Sequence, residues 1–397
     1  MIISKLAKII VRVVSPIILI GLVLLKKVYK YKIFMMHTDR LGHLALNTQL
    51  FFIRHKKDLI EDLNYYLIAP SIKSPKVANK DLLLMHIEYS KNLSNVRIIS
   101  SSALYFFFLY SRPLFNSKEF FSFLEFKSKG SEFSLAEETV SFNNKQKSIG
   151  NEILLKMGIT KNAKLVSVYT RDSKFLENID SQRNWSYHNY RDTNINSYLK
   201  AIKYLIQQGY TVIRIGSEYS KSLEFINNNY IEYNLSSHKS SFMDLYLPYI
   251  SSFIFGCKSG ASDLSLLFNT PILITDLTPI MEIALGKDDL FIQKKIVDLN
   301  GNIIPFKELI FDEKYYTYDG NKLESTYKMK YLENTEDEIL DAAIEMHKKI
   351  NGNLCLDTAQ INLLKRYHNE FCIKNKWDDV AAPISISWLE KNHSLYL

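Results

Sequence analysis

The chain has 397 residues, of which 47% are hydrophobic and 13% are aromatic. This composition is sufficient for two globular domains and argues against a long disordered segment. The formal net charge is +8, but seven basic residues precede Asp39, the first acidic residue, so the rest of the chain is almost neutral. That distribution disfavours a nucleic-acid partner and indicates an anionic membrane surface. Three irregularly spaced cysteines support neither a disulfide framework nor a zinc site, and they fit a reducing compartment.

Residues 1–30 predict a basic, hydrophobic membrane anchor. The stretch Ile9–Leu25 is apolar at all but three positions, yet its uninterrupted run, Ile17–Leu25, is far shorter than the ~20 residues of a spanning helix. Basic residues flank the stretch on both sides, and no small-residue cleavage site follows it, so a cleaved signal peptide is disfavoured. We expect attachment to the cytoplasmic face of a membrane, with a single spanning helix as the alternative.

Residues 31–150 predict a first α/β domain followed by a connecting segment. An apolar strand, Ile33–Met36, leads into a polar turn at Gly42 and then into a helix whose apolar residues are spaced for one face. Further apolar runs follow at Tyr65–Ala69, Leu82–His86 and Val96–Ser100. The segment 116–147 is richer in polar residues and is interpreted as an interdomain connection.

Residues 151–345 predict a second α/β domain, and residues 346–397 a helical tail. Strands are expected from Lys164, at Thr211–Ile215, at Ser252–Phe255 and at Pro271–Thr275. Helical patterns separate them, and the helix that contains Ile202 is expected to end at Gly209. Alternating strands and helices at this spacing predict a parallel sheet that is covered on both faces.

Polar groups follow three predicted strands of the second domain, at the ends where ligands bind in an open parallel sheet. They are Arg171 and Asp172 after the first strand, Arg214, Gly216 and Ser217 at the second, and Lys258, Ser259 and Gly260 after the third. Arginine side chains and backbone N–H groups can neutralise a diphosphate without a metal. Each arginine taken alone is more typical of a surface ion pair.

The turn from Lys258 to Ser262 has two interpretations. A strand that gives way to a helix leaves free N–H groups, and these combine with two hydroxyls and a cation into a typical phosphate site. The same residues also fit a tight structural turn in which Ser262 is a helix N-cap.

The first domain carries a second candidate site in the loop D-R-L-G-H. His43 can transfer a proton near neutral pH or orient a hydroxyl, and Asp39 is a second candidate base. A purely structural hydrogen bond at the start of a helix is the alternative for His43. The sequence has no dinucleotide fingerprint, P-loop, zinc motif or nucleophile elbow, and no motif for a metal-centred mechanism.

Several segments in the same order, from about Arg40 to Lys295, match a known family. They are R-L-G-H-L-A-L-N-T, Y-T-R-D-S, Y-R-D-T-N-I-N-S-Y, G-Y-T-V-I-R-I-G-S, S-F-M-D-L-Y-L, G-C-K-S-G-A-S and L-F-N-T-P-I-L-I-T. With them the chain resembles glycosyltransferases encoded in bacterial surface-polysaccharide clusters, such as those for O-antigen or capsule. The resemblance implies a GT-B-like fold, with two Rossmann-like domains facing across a cleft. It also implies hexosyltransferase-type activity without a metal cofactor.

The resemblance implies a role for individual residues. It places Arg171, Asp172, Arg191, Asp192, Arg214, Gly216, Ser217, Lys258, Ser259, Gly260, Ser262 and Lys294 around the nucleotide-sugar donor. Lys294 follows Gln293, where proline is usual in the family. On the acceptor side it places Arg40, Gly42 and His43, and Asn47 is added to them; it does not identify the catalytic base, for which His43 or Asp39 is our hypothesis from the residues.

The resulting hypothesis is a glycosyltransferase on the cytoplasmic face of the bacterial inner membrane. It would transfer a sugar from a nucleoside-diphosphate donor to a hydroxyl of a lipid-linked surface glycan. The alternatives are a nucleotide-sugar epimerase of the same fold and a non-catalytic assembly protein that binds nucleotide sugar or glycan. The predicted anchor disfavours the epimerase.

Overall fold

The computed structural model describes residues 2–111, 121–125, 132, 140–173, 184–216, 221–279, 286, 288–309, 312, 315, 317–373 and 382–397. The protein is a mixed α/β protein with parallel sheets, as the sequence predicted. It divides into two compact units. The first comprises Met1–Ser128 and Ala136–Ser141, and the second comprises Lys129–Leu135 and Phe142–Leu397.

The first unit is built on a four-stranded, fully parallel sheet. Its strands are β1 (Tyr31–Met35), β2 (Asn64–Ala69), β3 (Val96–Ser100) and β4 (Phe121–Phe123), in the spatial order β3-β2-β1-β4. Its helices are α1 (Ile2–Lys26), α2 (Leu41–Lys56), α3 (Lys80–Lys91) and α4 (Ser102–Ser111). The segment interpreted as a connection therefore contributes the edge strand β4, which pairs with β1 through its phenylalanines.

The second unit is built on a six-stranded parallel sheet. Its strands are β5 (Lys164–Tyr169), β6 (Tyr210–Arg214), β7 (Tyr230–Ile231), β8 (Phe253–Gly256), β9 (Ile272–Leu277) and β10 (Leu290–Gln293), in the order β10-β9-β8-β5-β6-β7. A smaller antiparallel sheet has the order β12-β11-β13, with β11 at Lys295–Asp298, β12 at Ile303–Ile304 and β13 at Met329–Leu332.

Nine helices accompany these sheets in the described part of the second unit. They are α5 (Asn144–Lys156), α6 (Leu199–Gln207), α7 (Met243–Ile250), α8 (Asp263–Phe268), α9 (Phe306–Leu309), α10 (Gly320–Ser325), α11 (Glu336–Ile350), α12 (Thr358–Arg366) and α13 (Ile386–Asn392). The predicted boundary at residue 150 falls within α5. Near the chain end, Ile384 bridges to Phe291 of β10, and the Ser385 N–H donates to the Phe291 carbonyl at 2.9 Å.

Glycines set two features of this unit. Gly209 has φ +85°, and its N–H donates to the Ile206 carbonyl at 2.9 Å, so α6 ends at the predicted C-cap. At Gly256, a Cβ atom would lie 2.2 Å from the carbonyl oxygen of Tyr169. Glycine is therefore required for β8 to pair closely with β5.

Candidate functional site

The carboxyl ends of the six parallel strands lie at one edge of the large sheet. Arg171 follows β5, Lys258 follows β8, Thr278 follows β9 and Lys294 follows β10. The segment 186–194, which includes a 3-10 helix at Ser186–Arg191, is bound to several of these strand ends. We call this group of residues the strand-end cluster; its members are Arg171, Arg191, Asp192, Lys258, Asp263, Asp276, Thr278 and Lys294.

Arg171 and Asp192 form the centre of the strand-end cluster. Nη1 of Arg171 donates to Oδ1 of Asp192 and, at 3.1 Å, to the carbonyl of His188. The side chains retain only 12% and 25% exposure, respectively. The sequence assigned both residues to the donor, and the structure shows that they also contact each other.

Three further cations complete the strand-end cluster. Nη2 of Arg191 donates to the Lys258 carbonyl at 3.3 Å, while Nζ of Lys258 pairs with Oδ1 of Asp263 at 3.1 Å. Nζ of the buried Lys294 donates to the carbonyls of Tyr190 and Asp192, at 3.1 and 2.7 Å. The structure thus brings together residues from four separate predicted positions, and it gives each cation a protein partner.

Two carboxyl groups in the cluster, the half-buried Asp192 and the buried Asp276, have raised pKa values. Burial raises the pKa of Asp192 to about 6 although the Arg171 charge lowers it, and Asp172 raises it further. Burial also raises the pKa of Asp276 to about 6 against the opposing charge of Lys294. The pKa of Arg171 is itself lowered by burial. Near pH 6 the negative charge that competes for these cations is therefore partly removed.

Two polar atoms of the cluster have no hydrogen-bond partner among the described residues. They are Nε of Arg191 and Oγ1 of Thr278, and both are inaccessible to solvent. Thr278 is 2% exposed as a residue. Because an unpaired buried donor is costly, these atoms indicate positions where a bound ligand could accept hydrogen bonds. No pattern in the sequence pointed to Thr278 or to Asp276.

The turn at Ser259–Ser262 satisfies several of its own polar groups. The Ser259 N–H donates to Oγ of Ser262 at 3.1 Å, and that hydroxyl donates to the Ser259 carbonyl at 2.5 Å. The Ala261 N–H donates to Oγ of Ser259 at 3.1 Å. Ser262 makes no side-chain cap bond to α8, which has only six residues. These contacts favour the interpretation of the turn as a tight structural turn. They do not include the N-cap hydrogen bond that was expected of Ser262, and Gly260 takes no part in them.

Arg214 lies in a different network from the strand-end cluster. Its guanidinium is 2% exposed, and Nη1 donates to Oε1 of Glu232 at 3.1 Å and to the Lys221 carbonyl at 2.5 Å. Glu232 also accepts from the Leu223 N–H and the Tyr230 hydroxyl, both at 2.9 Å. This ion pair is buried, whereas the alternative to donor binding that the sequence suggested was a surface ion pair.

Two donor-side candidates remain near β6, namely Gly216 and Ser217. Gly216 has φ +118°, and its carbonyl accepts from Nζ of Lys239 at 2.9 Å. Ser217 lies outside the described residues.

The first unit places its candidate residues at the carboxyl end of β1. Asp39, Arg40 and His43 are exposed, and Gly42 is half-buried in the first turn of α2. Asn47 lies one turn further on, and its Nδ2 is 3.4 Å from Nδ1 of His43. This intrahelical contact corresponds to the structural alternative for His43 and leaves the ring accessible.

The structure adds a second histidine that sequence reasoning missed. His37 has its ring centroid 5.3 Å from that of His43, and it stacks on Phe123 of β4 at 4.3 Å. Its Nε2 is 2.7 Å from Oε1 of Glu125. Glu125 follows β4, and the segment that contains β4 was interpreted as an interdomain connection. The sequence therefore did not predict that Glu125 lies beside β1.

Within the described residues, no group of three or more His, Cys, Asp or Glu side chains could hold a metal ion. The three cysteines are free, with Cys257 and Cys372 buried and Cys355 exposed.

Comparisons with known proteins gave matches only among solved structures. No protein-family model matches the sequence, and no curated protein matches it. The chain is similar to a family 9 glycosyl transferase from Veillonella parvula DSM 2008, with 10% identity over 80% of this chain and 97% of that one, at a TM-score of 0.42. It is also similar to the E. coli ADP-heptose LPS heptosyltransferase II, with 12% identity, coverages of 66% and 90%, and a TM-score of 0.37.

A third similar structure is the iron-containing dodecameric glycosyltransferase TibC from enterotoxigenic E. coli H10407. It shares 13% identity over 64% of this chain and 61% of that one, at a TM-score of 0.33. Similarity at these low TM-scores and identities does not indicate an activity. The function is therefore inferred from the residues of this chain.

Proposed function

We propose that this protein is a glycosyltransferase that uses a nucleoside-diphosphate sugar as donor. The observation that supports the proposal most is the strand-end cluster at the carboxyl edge of a parallel sheet. It holds four cations, and two of its buried donors have no hydrogen-bond partner in the described part of the chain. This edge is where ligands bind in open α/β sheets. Cationic side chains placed there suit the two negative charges of a diphosphate diester.

The cluster could stabilise the leaving group of sugar transfer. The bond from the anomeric carbon to the diphosphate oxygen breaks, and the diphosphate leaves with the electron pair. Arg171 and Arg191 would stabilise the developing charge, with Nε of Arg191 and the Thr278 hydroxyl as additional donors. The proposed donor set retains Asp172, Lys258, Ser259, Gly260, Ser262 and Lys294, whereas Arg214 is reassigned to a structural role.

The acceptor hydroxyl must lose a proton when the new glycosidic bond forms. His43 or Asp39 remains the proposed base, and His37 joins them because its ring lies beside that of His43. Glu125 can hold the His37 imidazole in one orientation through the 2.7 Å contact. We propose a lipid-linked bacterial surface glycan as the acceptor and the cytoplasmic face of the inner membrane as the location.

A binding panel followed by a transfer assay tests the proposal. The full-length protein is titrated with the diphosphates of uridine, guanosine, cytidine and adenosine, and its melting temperature is measured with each. A ligand that binds only the folded state must raise that temperature. We expect one nucleotide to do so, and the matching nucleotide sugar to give labelled glycolipid with membrane extract as acceptor. Binding without turnover would favour the non-catalytic alternative, and a folded protein that binds none of them would refute the proposal.

A further inference from the structure

One face of the N-terminal helix α1 is apolar and exposed. Ile9, Val13, Ile17, Ile20 and Leu24 are each more than half exposed, and their spacing of three or four residues places them in one stripe along the helix. The window Ile9–Lys26 has a mean hydropathy of 2.4, enough by length and composition to cross a membrane. A contiguous apolar stripe that is exposed in this way is typical of a surface that contacts a membrane or a partner.

The opposite face of α1 is packed against the first unit. Ser15 and Leu19 are buried, and Leu19 belongs to a core cluster with Tyr105 and Phe108 of α4. The Tyr31 hydroxyl donates to the Leu22 carbonyl at 2.6 Å. The helix is thus fixed to its own unit over at least two turns.

This packing favours a helix that lies in the interface over one that crosses the bilayer. The window Ile9–Lys26 has the length and composition of a span, but its Ser15–Leu22 face contacts protein of the same unit. A helix that has protein on one face and apolar side chains on the other has the geometry of an interfacial helix.

The charges beside the apolar stripe specify the kind of surface. Arg12, Lys27 and Lys30 are exposed, and no acidic residue occurs before Asp39. Basic side chains at the edges of an apolar face match a surface of anionic lipid head groups.

We infer that α1 lies in the plane of an anionic membrane, with its Ile9–Leu24 stripe in the boundary between head groups and acyl chains and its other face on α4. This inference concerns the first unit alone and does not rest on the proposed activity. It differs from the single spanning helix that the sequence left as an alternative, and extraction with alkaline carbonate distinguishes the two.

Vesicle co-flotation of the full-length protein tests the inference. We expect binding to vesicles of phosphatidylcholine with a quarter phosphatidylglycerol, weaker binding to phosphatidylcholine alone, and release by alkaline carbonate. The double substitution Ile17→Asp and Ile20→Asp should weaken binding more than tenfold, because it places two charges in the apolar boundary. The matched control is Leu155→Asp on α5, which is 60% exposed and should bind as the wild type does.

A second variant tests the contribution of the basic residues to membrane binding. Lys27→Gln with Lys30→Gln should weaken binding to the anionic vesicles about 25-fold and leave binding to neutral vesicles unchanged, since each basic residue near the surface contributes about fivefold. Circular dichroism establishes that each variant is folded. Resistance to carbonate extraction, or undiminished binding of the Ile17 and Ile20 variant, would overturn the inference. Equal binding of the wild type to both kinds of vesicle would overturn its anionic part.

Discussion

Arg171 and Arg214 lie at the ends of neighbouring strands, and the sequence assigned both to a diphosphate. Their surroundings differ in one respect. The Arg214 network is closed, because Glu232 accepts from Arg214, Leu223 and Tyr230. The strand-end cluster around Arg171 keeps unpartnered donors on Arg191 and Thr278 within the described residues. The position of an arginine at a strand end therefore does not assign its role, and we propose that the hydrogen bonds left unmade nearby distinguish the donor site.

Substitution of Arg214 should give the largest effect, and the effect should be on stability. Arg214→Ala leaves the carboxylate of Glu232 without its buried partner, which costs about 3–5 kcal/mol in the free energy of unfolding. Urea unfolding measures this loss. The matched control, Arg366→Ala, removes an exposed helical pair with Glu370 and should cost less than about 1 kcal/mol. Wild-type stability of Arg214→Ala together with lost nucleotide binding would return Arg214 to the donor site.

A pH dependence of stability should arise in the strand-end cluster. The pKa of Asp276 is raised from 3.8 to about 6 by burial, so the folded protein binds a proton more tightly than the unfolded chain does. The stabilising contribution of this proton is fully present below about pH 4 and is lost as the pH rises through 6, by at most about 3 kcal/mol.

Asp276→Asn tests this assignment. Asparagine keeps an acceptor for the Asn334 N–H but cannot titrate. The variant should lose the part of the pH dependence between pH 4 and 6 that Asp276 contributes, as followed by the urea midpoint. A slope identical to that of the wild type would contradict the raised pKa.

A smaller effect is expected in the first unit, where substitution of Glu125 should change turnover alone. Glu125→Gln weakens the orientation of His37 and should lower kcat about tenfold, with little change in KM. Glu125→Asp should recover part of the loss, and the acidic limb of the pH–rate profile should shift in the glutamine variant. A uniform loss with an unshifted profile would mean that Glu125 does not act through His37.

The smallest predicted effect is a dependence of donor affinity on pH. Protonation of Asp192 near pH 6 removes the carboxylate that competes for Arg171. Affinity for a nucleotide sugar, whose diphosphate diester does not titrate in this range, should rise about threefold between pH 7.5 and 6. In Asp192→Asn the rise should be absent, and its persistence would assign the effect to another group.

Much of the fold could be predicted from the sequence, because hydrophobic periodicity is a local signal. The apolar run at Val96–Ser100 forms a strand, and the helix that contains Ile202 ends at Gly209, as that pattern indicated. The strand β4 was missed because it has only three residues within a polar segment. The pairing of His37 with Glu125 depends on that strand and was missed with it.

The candidate site was only partly predictable for a related reason. Sequence reasoning identified which cations stand at strand ends, but it could not identify their partners. Glu232 is 18 residues from Arg214 and Asp192 is 21 residues from Arg171, and nothing local distinguishes the two pairs. Burial and unmade hydrogen bonds are properties of the assembled sheet, so they appear only in the structure.

We propose that the strand-end cluster binds the diphosphate of a nucleotide sugar, and a substitution of Arg191 tests this most directly. Calorimetric titration of the full-length protein compares the wild type with Arg191→Gln and with the surface control Arg366→Gln. We predict that Arg191→Gln binds the preferred nucleoside diphosphate about tenfold more weakly at an unchanged melting temperature, while the control binds as the wild type does. Equal affinity in all three proteins would contradict the claim.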